Sequence, residues 1–195
     1  MAYEEHIERV ARRKEALGAA IEAQFRDIAV FVLEIGCGHG HWLTEYAAAR
    51  PDSACVGIDI IGDRIERSNR KATRAGLDNL HFLKAEADEF LELLPEGRQA
   101  LEVFVLFPDP WPKKRHWKNR LMNTEFLDRL AQRCADGARL YFRTDHEGYF
   151  AWTRELLPEL KSWGEDVKTE WPFERETVFQ SKAESYQSLI LVKTL

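Results

Sequence analysis

The sequence predicts an α/β fold: a mostly parallel sheet of seven strands with helices on both faces and an antiparallel hairpin at one edge. Three observations carry this. Strand-like and helix-like runs alternate through most of the chain, as right-handed crossovers between parallel strands require. The glycine-rich stretch L-E-I-G-C-G-H-G, from Leu33 to Gly40, lies between an apolar run and a helical one, which is the context of a nucleotide-binding loop. Val103 to Phe107 is a short, unbroken apolar run of the kind buried on both faces of a parallel sheet. Pro108, Pro110 and Pro112 end it. They remove backbone donors and fix φ, so a stiff loop must leave the carboxyl end of that strand.

Taken in order, residues 3–24 place Ile7, Val10, Ala11, Leu17 and Ile21 on one stripe and read as an amphipathic helix. Its Arg9, Arg12, Arg13 and Lys14 form either a solvated face or a contact for a polyanion. Val30–Ile35 is a buried strand, and a helix follows the glycines from His41 to Ala49. A second strand, 54–58, ends at Asp59. A helix then runs from Gly62 to Ala75, with Gly76 as its stop. The third strand, 80–83, leads to Glu86 and a helix through Leu94. After the fourth strand and its proline loop, the polar group Asn123-Thr124-Glu125 starts a helix to Cys134. Asp136-Gly137 turns into a fifth strand, 139–143, closing on Thr144-Asp145. Glu147–Leu157 is a helix halted by Pro158, and the hairpin falls on 166–171 and 188–192.

The 195 residues fit one domain, 1–195, with residues 1–28 as a helical extension. Hydrophobic content of 45% and charged content of 31% are those of a soluble globular chain. No apolar run nears the roughly 20 residues of a membrane helix, and the charged N-terminus lacks a signal-peptide core. Cys37, Cys55 and Cys134 are odd in number and show no C-x-x-C, which fits reduced thiols in a cytoplasmic protein without a zinc site. His39 and His41 have no further spaced ligands beside them, so no metal is expected. The net charge of −5 argues mildly against a nucleic-acid partner. Against that, Lys113, Lys114, Arg115, Lys118 and Arg120 crowd onto the proline loop, beside Asp109, Trp111 and Trp117. Each tryptophan either packs beneath the turn or offers a stacking face to an unpaired base.

Charge selects the ligand of the glycine loop. Its spacing is G-x-G-x-G (Gly36, Gly38, Gly40) rather than the dinucleotide pattern, and Glu34 precedes it with no base nearby. A pyrophosphate would be repelled there, whereas a sulfonium or an α-amino group would be attracted, so a nicotinamide dehydrogenase is disfavoured. Asp59 ends the second strand, where an acid accepts from ribose hydroxyls, and Glu86 ends the third, within reach of an adenine edge.

Together, L-E-I-G-C-G-x-G, G-I-D (57–59), F-P-D-P-W-P-K-K-R-H (107–116) and T-D (144–145) resemble the bacterial tRNA (guanine-N7)-methyltransferases. The first two motifs are common to many methyltransferases; the third is specific. The resemblance runs over about 30–149 and resumes near Thr177. It implies the Rossmann-like class I methyltransferase fold, S-adenosyl-L-methionine as cofactor, tRNA as partner, and a monomer or homodimer. By position it implies that Glu34, Gly36, Gly38, Gly40, Asp59 and Glu86 hold the cofactor and that Asp109 stands, as the catalytic residue, between cofactor and base. Lys113, Arg115, His116, Asp145, Thr177 and Gln180 then face the substrate. Two positions depart from the family pattern. Asn119 replaces an arginine in R-H-x-K-R-R-L, and Gln180 replaces the glutamate of T-x-[FY]-E. Both lie on the substrate side. They motivate two alternatives: a methyltransferase for another RNA or a small molecule, and an RNA-binding module without turnover.

Overall fold

A computed structural model of the chain describes residues 2–175 and 183–194. The elements are α1 Ala2–Gln24, β1 Val30–Ile35, α2 His41–Ala49, β2 Cys55–Asp59, α3 Gly62–Ala75, β3 Leu80–Lys84 and α4 Ala87–Leu93, then β4 Gln99–Leu106, α5 Thr124–Gln132, β5 Cys134–Thr144, α6 Glu147–Leu156, β6 Trp163–Glu165 and β7 Gln187–Lys193. The seven strands form one sheet in the order β3-β2-β1-β4-β5-β7-β6. The first five are parallel, and β7 runs antiparallel to both β5 and β6. The order therefore reverses between β1 and β4. At such a switch point the loops leaving the two strands diverge and open a crevice above the sheet.

Local chemistry sets most of the boundaries. Gly76 ends α3 in the left-handed region at φ 64°, with its N–H on the carbonyls of Ala72 and Thr73. The Asn123 side chain accepts from Phe126 N at 2.9 Å and starts α5. Pro158 does not halt α6 abruptly. It lies in the first turn of a 3-10 segment, Leu157–Glu159, where its missing N–H costs nothing.

The expected strand over 166–171 is a correction: the edge strand is Trp163–Glu165 instead. Trp163 is buried, with its indole N–H on Leu127 O at 2.8 Å. Asp166 then accepts from Lys168 N and Thr169 N at 3.0 and 3.1 Å, a local turn that breaks the extended chain.

Alternate residues of the strands feed two cores. On one face Phe31, Leu33, Val103 and Val105 pack beneath α1, α4, α5 and α6, with Leu17 and Ile21 of α1 and Phe25 just after it buried. On the other, Val32, Phe82, Phe104 and Tyr141 of the strands pack with Trp42, Leu43 and Tyr46 of α2 and Ile65 and Ala72 of α3. Among the described residues no helix covers β4 and β5 on this second face. Residues 171–175 cross it as a strap. Trp171 meets Phe104 and Tyr141 edge-on, Phe173 meets Trp42 and Tyr46, and Arg50 donates to Pro172 O at 2.9 Å. The cations of α1 serve the fold too: Arg13 pairs with Glu89 of α4 and Lys14 with Glu92 at 2.6 Å. Among the described residues no helix is long and apolar enough to cross a membrane.

Candidate active site

The loop after β1 is held from below. The N–H groups of Gly36 and Cys37 both donate to Ile58 O of β2, at 2.8 and 3.0 Å. Asp59, at the end of β2, accepts from Gly38 N at 3.0 Å and from Ile61 N at 2.8 Å. Its Oδ2, the oxygen that accepts from Gly38 N, also has the Arg64 guanidinium at 3.5 Å. The three glycines do different work. A Cβ on Gly36 or Gly38 would meet open space, although φ of 76° and 56° already disfavours one there. A Cβ on Gly40 would lie 2.5 Å from the Phe82 ring and 2.9 Å from Ser68. Gly40 therefore lets α2 close down on the sheet, while Gly36 and Gly38 leave room above it.

Glu34 is the most telling residue here. It is 4% exposed on β1, and among the described residues its Oε2 has no hydrogen-bond partner. Burial, and then the neighbouring Asp59 charge, push its pKa up to about 8. A buried carboxyl oxygen with no donor is costly unless something else supplies one. Glu86 is exposed and caps α4, accepting from Glu89 N at 3.2 Å.

The loop after β4 is built by opposite means. Phe107 and Trp111 stand at φ of 51° and 45°, in the left-handed region without being glycine, a cost of roughly 1–3 kcal/mol each that surrounding contacts must offset. Phe107 N is tied to Arg143 O at 2.7 Å, and its ring meets Tyr186 edge-on at 6.1 Å. Trp111 meets His116 edge-on at 5.8 Å. Lys114–Asn119 forms a 3-10 turn capped by Lys113. Asp109, Lys113, Lys114, Arg115 and Lys118 are exposed on this frame, and His116 is half-buried. Arg115 Nε donates to His116 Nε2 at 3.2 Å.

Arg120 is a correction to the expected basic cluster. It is 1% exposed, its Nε donates to Pro110 O at 2.9 Å, and its guanidinium sits 4.5–5.0 Å from the rings of Trp117, Tyr149 and Trp152. It braces the proline loop from inside, and one face of Trp117 is used in doing so. No local signal separates it from its exposed cationic neighbours.

On the neighbouring strand Asp145 is exposed just past β5. The strap and β7 converge there on Arg143, which is 4% exposed and lies 3.8 Å over Trp171 and 4.6 Å over Tyr186. Arg143 bonds Ser188 Oγ at 2.9 Å and both oxygens of Glu174 at 3.2 and 3.0 Å. Sequence reasoning missed this hub, because its partners come from the far end of the chain. Thr177 and Gln180 lie outside the described residues. His39 and His41 stand 6.3 Å apart, and among the described residues no three His, Cys, Asp or Glu side chains are grouped to hold a metal.

Comparison with known proteins agrees with this layout. Solved structures share the fold. The 16S rRNA methyltransferase KamB matches with a TM-score of 0.65 at 21% identity, covering 91% of this chain and 94% of its own. The aminoglycoside resistance methyltransferase NpmB1 matches with 0.62 at 18%, covering 91% and 93%. In sequence, the tRNA (guanine-N(7)-)-methyltransferase of Thermus thermophilus is 40% identical over 124 residues, which are 64% of this chain and 40% of that protein. Its counterpart from Halorhodospira halophila is 37% identical over 137 residues, 70% of this chain and 59% of that protein. The chain thus spans about half the length of the curated relatives it matches. A family model described as "Putative methyltransferase" matches residues 28–189, and the chain belongs to that family.

Proposed function

We propose that the chain transfers a methyl group from S-adenosyl-L-methionine to N7 of a guanosine in tRNA. The observation that carries this reading is the proline-locked loop after β4. It holds an exposed Asp109 and a run of exposed cations beside the glycine loop, on the adjacent strand across the switch point.

The residues fit the cofactor. Glu34 offers a buried oxygen without a donor, which an ammonium would satisfy, and Gly36 and Gly38 leave open space beside it. In this reading Asp59 and Glu86, after the next two strands, serve ribose and adenine, and Asp109, exposed on the loop after β4, serves the same crevice. When bound, the cofactor supplies an electrophilic methyl group on a sulfonium.

Guanine N7 carries a free lone pair and no proton, so no general base is needed. The work of the protein is alignment and charge. The stiff frame of the proline loop fixes Asp109, whose carboxylate favours the positive charge that passes to the purine and accepts from its N–H groups. Asp145 can serve the same base from the end of β5. Lys113, Arg115 and His116 take the phosphates, giving an affinity that falls with salt. Thr177 and Gln180 complete the acceptor side in this reading. Residues 1–195 act as one unit, with the helix in 1–28 bracing α4, in the cytoplasm where tRNA is found.

The reading is tested by incubating the protein with the cofactor and an unmodified tRNA transcript and digesting the product to nucleosides. It predicts 7-methylguanosine. A methyl group on any other nucleoside replaces the acceptor, and none at all removes the activity.

A further inference from the structure

One exposed cluster has no part in the reading so far. Arg67, Lys71 and Arg74 recur at i, i+4 and i+7 along α3 and so share one stripe of the helix. With His39, His41 and Ala75 they line a groove of about 610 Å³ between α3 and the start of α2. Several surface cations elsewhere are paired: Arg64 with Asp59, Arg129 with Asp88, Arg154 with Glu165, Lys193 with Asp136. Among the described residues, Arg67, Lys71 and Arg74 have no carboxylate at ion-pair distance. Glu45 of α2, whose charge reaches Lys71 and His41, is also engaged by Arg175.

The groove therefore concentrates like charge. Among the described residues Lys71 Nζ donates only to His39 O, at 2.8 Å. Burial lowers the pKa of both Lys71 and His41; Glu45 opposes this in each, while neighbouring cations add to it, Arg74 for Lys71, and Lys71 and His39 for His41. A bound anion would reverse that pressure. Its form follows from the spacing. Seven residues of helix separate Arg67 from Arg74 by about 10 Å, too far for both to converge on one small anion, but suited to successive phosphates of a polyanion.

Position then names the polyanion. α3 follows β2, and the basic turn Lys114–Asn119 follows β4, so the two cationic patches flank β1 and its glycine loop on opposite sides. We infer that the α2–α3 groove is a second RNA-backbone contact, gripping phosphates on the cofactor side of the mouth while the turn after β4 grips them on the acceptor side. This rests on the reading of tRNA as acceptor.

The test is tRNA binding across a salt series for the unaltered protein, for Arg67→Ala/Arg74→Ala, and for Lys113→Ala/Lys114→Ala. Arg67 and Arg74 are exposed, and among the described residues their side chains have no hydrogen-bond or ion-pair partner, so cofactor binding by their variant serves as the folding control. Each lost phosphate contact removes about 0.7–0.9 from the slope of log affinity against log salt. The inference predicts a slope shallower by about 1.5 and a loss of roughly tenfold or more in affinity near 0.1 M salt. The charge reversal Arg67→Glu/Arg74→Glu is expected to go further. Affinity and slope equal to those of the unaltered protein would overturn the groove while leaving the acceptor reading intact, since Lys113→Ala/Lys114→Ala would still weaken binding. If the unaltered protein neither binds nor methylates tRNA, the acceptor reading fails and the groove goes with it.

Discussion

The loops after β1 and β4 leave neighbouring strands at the same end of one sheet, yet they are made from opposite materials. The first turns on Gly36, Gly38 and Gly40, for which a positive φ is cheap, and its backbone donors are returned to Ile58, Asp59 and Cys37. The second forces Phe107 and Trp111 into the same region, locks the chain with prolines, and needs the buried Arg120 to hold it. A backbone stripped of side chains lets a ligand come close. A strained, braced backbone projects side chains from a fixed frame. The contrast assigns cofactor contact to the first loop and alignment of the acceptor to the second.

The brace is the sharpest place to break that contrast. Arg120→Ala removes three ring contacts and the bond to Pro110 O and leaves a cavity, so a loss of about 3 kcal/mol in urea unfolding is expected. Methyl transfer should fall more than cofactor binding does. A loss below ~1 kcal/mol with transfer intact would show that the prolines suffice alone.

Within the glycine loop, Gly40→Ala and Gly38→Ala separate packing from access. The first drives a methyl into Phe82 and Ser68 and is expected to cost about 2–3 kcal/mol. The second bears only the backbone penalty, about 1 kcal/mol, and should instead weaken cofactor binding. Equal stability losses would contradict the division of roles.

Glu34 gives a pH signature. Its folded pKa of about 8 stands above the unfolded value of 4.5. Between the two, the unfolded chain gives up a proton that the folded one keeps. The ligand-free protein should therefore lose stability as pH rises through that window, by at most ~1.4 kcal/mol per unit. Glu34→Gln should flatten this trend in melts at pH 6 and 8, and weaken cofactor binding roughly 10- to 100-fold. Melts with the same slope in both proteins would remove the buried carboxylate from the account. The smallest effect expected is on the acceptor side, where Gln180→Glu should raise the rate on guanine modestly; an unchanged or lower rate would take residue 180 out of the site.

Much of this was legible because it is local. Gly76, Asn123 and the glycine loop each carry their own stop, cap or turn chemistry, and the bounds of α2 and α3 follow from it. What was hidden depends on distant partners. Arg120 sits in a run of cations, and only Tyr149 and Trp152, some 30 residues on, turn it inward. Arg143 reads as an ordinary strand residue until the strap brings Trp171 and Glu174 over it. The strand expected at 166–171 had the right alternation, but the Asp166 turn outweighed it.

The central claim is tested most directly by transfer of labelled methyl to two tRNAs that differ in one atom, one with ordinary guanine and one with 7-deazaguanine. The account predicts label in the first and none in the second, because the nucleophile is N7 itself. Equal labelling of both would place the methyl elsewhere on the RNA and contradict it.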